Sequence, residues 1–127
     1  GDHQNPSYAE AMQRYYESGP SANWQGTYIS GYASMHPWED FAETFARYLD
    51  VVSVLDTALQ MGLPDGCDPT IATLTEMVDR YVQLGVIVNE INRAMGLMDL
   101  VPQVFAPVIV TKLNFVHELV RQNARAE

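Results

Sequence analysis

The sequence has little cysteine, little lysine and no long apolar run. Its single cysteine, Cys67, excludes a disulfide within the chain and any zinc site built from several cysteines. Seven Lys and Arg against 16 Asp and Glu give a formal net charge of −9, which argues against nucleic acid and anionic membranes as partners. Because no apolar run of about 18 residues and no signal-peptide pattern occurs, the sequence predicts no membrane span, and we expect a cytoplasmic protein.

What remains is sufficient for one folded domain. Hydrophobic residues make up 47% of the 127 positions and charged residues 18%, so the chain can bury a core. Helical start and stop signals divide the sequence, and no alternation typical of a β-strand is present. The sequence predicts an all-α fold: a bundle of about four to five helices forming a single helical domain over residues 1–127.

One predicted helix, near 37–62, is unusually long. Its apolar residues recur at steps of three and four, Pro37 stands at the first helical position, and Gly62 ends the pattern. Gly85 interrupts a later helix, and we expect another helix to cross closely there. The other predicted elements are a helix near 7–18, a short helix or turn around 24–33, a helix from Asp68-Pro69 to Met95-Gly96, and a last helix at about 107–124.

The long helix carries a polar stripe. Its members are His36, Glu39, Asp40, Glu43, Arg47 and Asp50, whose spacing places them on one face. Such a stripe is typical of a solvated helix surface. His36 stands at the cap position, Glu39 follows three residues later near the positive end of the helix dipole, and Glu43 could pair with Arg47 one turn on. Spacing alone favours this structural interpretation.

A functional interpretation rests on the pattern Glu39-x-x-Ala42-Glu43. In one class of zinc peptidase, a His-Glu-x-x-His helix supplies two zinc ligands and a glutamate on a second helix supplies the third. An acid four residues after that glutamate commonly accepts the outer N–H of a ligand histidine. Glu39 would then be the metal ligand and Glu43 its supporting partner. The pattern is short, and many helices contain it by chance.

Two longer strings carry a resemblance to a known family. "YASMHPWEDFAETFARYLDVVSVLDTA" and "NEINRAMGLMDLVPQVFAPVIVTKLNFVHELV" resemble segments of bacterial proteins classed as zinc-binding metallopeptidases, and "YAEAMQRYYESGPSANWQ" is similar to the segment after the zinc motif in that family. The resemblance covers nearly the whole chain. It implies a gluzincin-like hydrolase in which two histidines and a catalytic glutamate belong to a His-Glu-x-x-His helix and an acid on a later helix completes the zinc site.

The resemblance assigns roles to the polar stripe. It implies Glu39 as zinc ligand, with Glu43 as its support or as the alternative ligand, and Asp40 beside the site. His36 is the catalytic candidate, as a hydrogen-bond donor to a substrate carbonyl or a tetrahedral intermediate. Its role as helix cap is an equally good interpretation.

The second string offers two groove candidates, Asn92 and Arg93. The structural interpretation is that they hold the carbonyls of the following loop in place, and it is the favoured one. In the functional interpretation they line a substrate groove opposite Glu39.

The chain departs from the family in having no His-Glu-x-x-His motif. Its histidines, His3, His36 and His117, are far apart, and His117 reads as structural. A catalytic zinc needs about three protein ligands. We therefore expect the C-terminal portion of a longer zincin-like protein that acts on a peptide or protein. Zinc would be bound in that parent protein, whereas this chain alone would bind none and would be inactive.

A rival hypothesis is a metal-free acidic helical interaction module. It predicts Glu39 and Glu43 on a convex surface, paired with arginines. The zinc hypothesis predicts an open concave surface with exposed apolar residues near Trp38 and Phe41, through which a homo-oligomer could also form.

Overall fold

A computed structural model of the chain describes residues 7–102 and 104–126, and within these ranges the fold is all-α. Four α-helices occur in the described residues: α1 (Tyr8–Ser18), α2 (Pro37–Gln60), α3 (Leu74–Ala94) and α4 (Pro107–Ala126). Two short 3₁₀ helices, Trp24–Gly26 and Tyr32–Met35, connect α1 to α2. The predicted all-α bundle and its long second helix are confirmed. His3 lies outside the described residues.

Side-chain caps set the helix starts. Ser7 Oγ accepts a hydrogen bond from the Glu10 amide at the start of α1, and Thr73 Oγ1 accepts one from the Glu76 amide at the start of α3. These bonds satisfy amides that have no partner within the first turn of a helix.

The predicted start of the third helix at Asp68-Pro69 is wrong. The Asp68 carboxylate accepts hydrogen bonds from the Thr70 amide at 2.9 Å and from the Thr70 hydroxyl at 2.7 Å. This local turn competes with helix formation, so the chain becomes helical only at Leu74, after the Thr73 cap. These hydrogen bonds also lower the pKa of Asp68.

The core lies between α2, α3 and α4. Its most deeply buried apolar side chains are Leu55 of α2, Met77 of α3 and Leu113 of α4, which are all fully buried. Because each side chain comes from a different helix, one apolar cluster joins the three helices. The further core members include Tyr48, Val51, Ala58, Leu74, Val78, Tyr81, Leu84, Phe105, Ile109 and Val116.

A short chain of hydrogen bonds between polar groups crosses this core. His117 is 1% exposed, its Nδ1 lies 2.7 Å from the Tyr48 hydroxyl, and its Nε2 lies 3.1 Å from the Ala72 carbonyl oxygen. Since a carbonyl can only accept, Nε2 donates to Ala72 and Nδ1 accepts from Tyr48. His117 thus has a structural position, joining α4, α2 and the turn before α3.

Gly85 marks a close approach, although not by another helix as we expected. A Cβ at this position would lie 2.3 Å from Val101 Cγ1, so the loop after α3 packs directly on the helix backbone. Only glycine leaves room for this contact. Among the described residues, no helix combines the length and the apolar character needed to cross a membrane.

Candidate metal-ligand site at the start of α2

His36 caps α2. Its backbone is extended, and its Nδ1 accepts a hydrogen bond of 3.1 Å from the Trp38 amide, while Pro37 occupies the first helical position. The side chain is buried, with 5% of its surface exposed. Because Nδ1 is an acceptor here, a neutral His36 carries its proton on Nε2. The structure therefore has His36 as a cap, and only Nε2 is left for donation to another group.

Glu39 is held by a tyrosine from α1. The Tyr8 hydroxyl donates to Glu39 Oε1 at 2.6 Å, across 31 positions of sequence. The Tyr8 ring stacks on Trp38 with centroids 5.4 Å apart, and it meets His36 edge-on at 5.2 Å. Tyr8 thus packs against His36 and Trp38 while its hydroxyl contacts the carboxylate on the first turn of α2.

The contact between Tyr8 and Glu39 is charge-assisted. The hydrogen bond to the Glu39 carboxylate raises the pKa of Tyr8 well above its ordinary value of 10.0, and Tyr32 and burial raise it further. Tyr8 therefore remains a protonated donor at neutral pH. A distance of 2.6 Å is typical of an O–H donor that faces an ionised acceptor.

Glu43 faces a different segment, one turn further along α2. The Ser30 hydroxyl donates to Glu43 Oε1 at 3.2 Å and accepts from the Ala33 amide at 3.0 Å. Within residues 7–102 and 104–126, no ion pair joins Glu43 to Arg47. The predicted pair is therefore wrong, because the Glu43 carboxylate points to the hydroxyl of Ser30.

Asp40 forms an ion pair with the single lysine. Lys112 Nζ lies 2.8 Å from Asp40 Oδ2 and also donates to the Thr27 carbonyl at 2.8 Å. The same ammonium lies 4.4 Å from the centre of the Tyr28 ring, within cation–π range. Asp40 thus links α2 to α4 and to the segment before α2.

Asn92 and Arg93 contact the loop after α3. Asn92 Nδ2 donates to the Met98 carbonyl at 3.4 Å. Arg93 makes a two-pronged contact with Asp99, at 2.9 Å from Nε and 2.6 Å from Nη2, and pairs with Glu90 at 2.8 Å. The Asp99 contact raises the pKa of Arg93 further. These are the contacts expected of residues that fix the loop.

Asn89 makes more hydrogen bonds to this loop than Asn92 does. It is 3% exposed, its Oδ1 accepts from the amides of Leu100 and Val101, and its Nδ2 donates to the Val101 carbonyl at 2.8 Å. One side chain therefore replaces three backbone hydrogen bonds that the loop cannot form within itself.

The described residues do not form a complete zinc site. Among them, no three His, Cys, Asp or Glu side chains lie close enough to hold a metal ion together. Glu39 fits the part of a single ligand, because its carboxylate is partly exposed and one of its oxygens is already oriented. The other ligands that a catalytic zinc requires would have to come from outside the described residues.

The comparison with known families decides the class of the chain. The family described as "Putative zinc-binding metallo-peptidase" matches residues 1–119. The chain belongs to this family. Relatives in the zinc-binding metallopeptidase family include an uncharacterized protein of Mycobacterium bovis and one of Mycobacterium tuberculosis, each 37% identical over 127 residues. The match covers 92% of this chain but 36% of each relative, so the chain spans about a third of their length. No solved structure matches significantly.

Two hydroxyl partners of the candidate site were not predicted from the sequence. Tyr8 and Ser30 reach Glu39 and Glu43 from 31 and 13 positions away. Periodicity relates residues on one helix, and these contacts join α2 to segments that precede it. The sequence signal that could have indicated Tyr8 was its place in the "YAEAMQ" string of the family resemblance.

Proposed function

We propose that this chain is the helical part of a longer zinc-dependent, gluzincin-like hydrolase and contributes Glu39 as the acidic zinc ligand. The observation that carries the proposal is the Glu39 carboxylate itself, held through Oε1 by Tyr8 at 2.6 Å on the first turn of a long helix. Membership of the zinc-binding metallopeptidase family supports the choice of metal.

The second oxygen of Glu39 is suited to bind a metal ion. Within the described ranges, Oε2 accepts no hydrogen bond. A carboxylate commonly binds zinc through one oxygen while a donor fixes the other. Phe41, two residues on, is 47% exposed, which fits a helix face that another element covers in the longer protein.

Glu43 and His36 take supporting roles in this proposal. Glu43 lies one turn beyond Glu39, where its carboxylate could accept the outer N–H of a ligand histidine, or serve as the ligand in place of Glu39. His36 could donate to substrate only through Nε2, since Nδ1 is committed to the helix cap. Asp40 would support the site through its ion pair with Lys112. Asn92 and Arg93 would support it through their contacts with the loop after α3.

The proposal extends to the longer protein. It would hydrolyse a peptide or protein, whereas this chain alone would be inactive, because the described residues offer one ligand where about three are needed. We place the protein in the cytoplasm, a choice supported by the unpaired Cys67, because disulfides form in oxidising compartments outside it.

A metal-free interaction module is the second candidate, and a specific surface favours it. The second half of α3 and the loop after it leave apolar side chains exposed, among them Ile87 at 54%, Ile91 at 54% and Met98 at 85%. Such a patch is typical of an interface with another protein or with a second copy of the chain. In this alternative Glu39 only supports the start of α2.

The zinc content of the natural full-length protein separates the two functions. We expect about one tightly bound zinc per chain, lost or strongly weakened in Glu39→Gln. Glu43→Gln is the matched control on the same helix face and should retain zinc with a smaller loss. If Glu43→Gln loses the metal and Glu39→Gln keeps it, the ligand is Glu43. If both keep it with full affinity, neither carboxylate is a ligand and the interaction module is favoured.

A further inference from the structure

A second residue of the candidate site lies on a different helix from the proposed ligand. Tyr8, the first residue of α1, brings its hydroxyl to 2.6 Å from Glu39 Oε1. We infer that Tyr8 is a positioning residue that fixes the Glu39 carboxylate so that Oε2 faces the metal. This inference rests on the proposed function and adds a role for α1 in it.

The Tyr8 ring is fixed on two sides. It stacks on Trp38 at an interplanar angle of 27° and meets His36 edge-on at 72°. The Ser7 cap fixes the backbone where α1 begins. His36 and Trp38 in turn contact each other, with ring centroids 5.0 Å apart. The position of the Tyr8 hydroxyl oxygen is therefore set by rings that themselves belong to the start of α2.

The orientation of a glutamate carboxylate needs such a contact. The terminal torsion of glutamate has a broad, shallow preference, so an unsupported carboxylate samples many orientations. Occupation of Oε1 by Tyr8 restricts that torsion and leaves one oxygen for another partner. Deletion of a group that hydrogen-bonds to a metal ligand typically lowers metal affinity about 10–100-fold.

Two effects of deleting the hydroxyl have opposite signs. Loss of the donor frees the carboxylate to rotate, which weakens metal binding. It also leaves more negative charge on the Glu39 oxygens, which strengthens the bond of this carboxylate to a cation. Because Tyr8 is held on two sides and its contact with Glu39 is short, we expect the orientation effect to dominate.

The test uses four forms of the full-length protein: wild type, Tyr8→Phe, Tyr16→Phe and Glu39→Gln. Phenylalanine keeps both ring contacts of Tyr8 and removes only the hydroxyl. Tyr16 is 72% exposed on the same helix, so it controls for a tyrosine-to-phenylalanine change in α1. Zinc dissociation constants come from competition with a chromophoric chelator, and Co²⁺ substituted for zinc reports the coordination geometry through its d–d absorption bands.

We expect Tyr8→Phe to bind zinc about 10–100-fold more weakly, with shifted Co²⁺ bands at saturation. Tyr16→Phe should match wild type, and Glu39→Gln should lose at least as much affinity as Tyr8→Phe. Far-UV circular dichroism of each metal-free form reports whether it is folded, so weaker binding by a Tyr8→Phe variant that has lost helical signal would assign the loss to folding and overturn the inference.

Two other results are decisive. If Glu39→Gln weakens binding while Tyr8→Phe binds as tightly as wild type, Tyr8 does not position the ligand and the proposed function stands. If Glu39→Gln binds zinc like wild type, the proposed function fails, and the role of Tyr8 fails with it.

Discussion

Substitution of Gly85 by alanine tests whether the loop after α3 sits directly on the helix. In a helix interior, Gly→Ala ordinarily stabilises a protein by about 0.5–1 kcal/mol, because alanine loses less backbone freedom on folding. At Gly85 the added Cβ would lie 2.3 Å from Val101 Cγ1 and 2.8 Å from Val101 Cβ. Overpacking of this kind costs about 1–3 kcal/mol.

Val101 cannot move away freely, because Asn89 binds both its amide and its carbonyl. The packing cost should therefore exceed the gain in helix propensity, and we expect Gly85→Ala to lower the free energy of unfolding by about 1–2 kcal/mol. The assay is urea unfolding followed by far-UV circular dichroism. In a Val101→Gly background the clash is absent, so adding Gly85→Ala there should raise the free energy of unfolding.

Gly26→Ala is the matched control, since nothing lies within 4 Å of a Cβ at that position. It should be neutral or stabilise by up to about 1 kcal/mol. A Gly85→Ala variant that is more stable than wild type would refute the reasoning, because it would mean that Val101 does not pack against α3.

Further predictions concern the two polar contacts that join α4 to α2. Lys112→Met keeps the apolar stem but removes the bonds to Asp40 and Thr27, and we expect urea unfolding to show a loss of about 1–2 kcal/mol that shrinks at high salt. Unchanged stability would contradict the ion pair. Tyr48→Phe leaves the buried Nδ1 of His117 without a donor, at a cost of about 1–3 kcal/mol by the same assay. Burial raises the pKa of Tyr48 above its ordinary 10.0, so the unfolded chain releases this proton first and stability falls as pH rises past that value. Tyr48→Phe should make this alkaline decline shallower, and an equal slope would contradict the assignment.

The sequence predicted the features that depend on local signals. Pro37 after His36 indicated the start of α2, and the structure has His36 as its cap. Apolar residues at steps of three and four indicated the long helix. It ends at Gln60, two residues before Gly62, whose φ is 75°. The start of α3 was misjudged, because Pro69 is an equally good first residue of a helix and the hydrogen bonds from Thr70 to Asp68 are not visible in the pattern.

The candidate site was only partly predictable, because several of its contacts join residues that are far apart in the sequence. Glu39 stood out through its position and through the family resemblance, which the family match supports. Tyr8 and Lys112 could not be connected to α2, because their partners lie 31 and 72 positions away and nothing periodic links them. Gly85 was correctly predicted to permit a close approach, but the partner is the loop residue Val101.

The central claim, that Glu39 is a zinc ligand, is tested most directly by anomalous X-ray scattering at the zinc absorption edge from crystals of the full-length protein. The account predicts a zinc peak about 2.0–2.2 Å from a Glu39 carboxylate oxygen, with Tyr8 on the other oxygen. A zinc peak coordinated by other residues, with Glu39 bound only by Tyr8 at the start of α2, would contradict it.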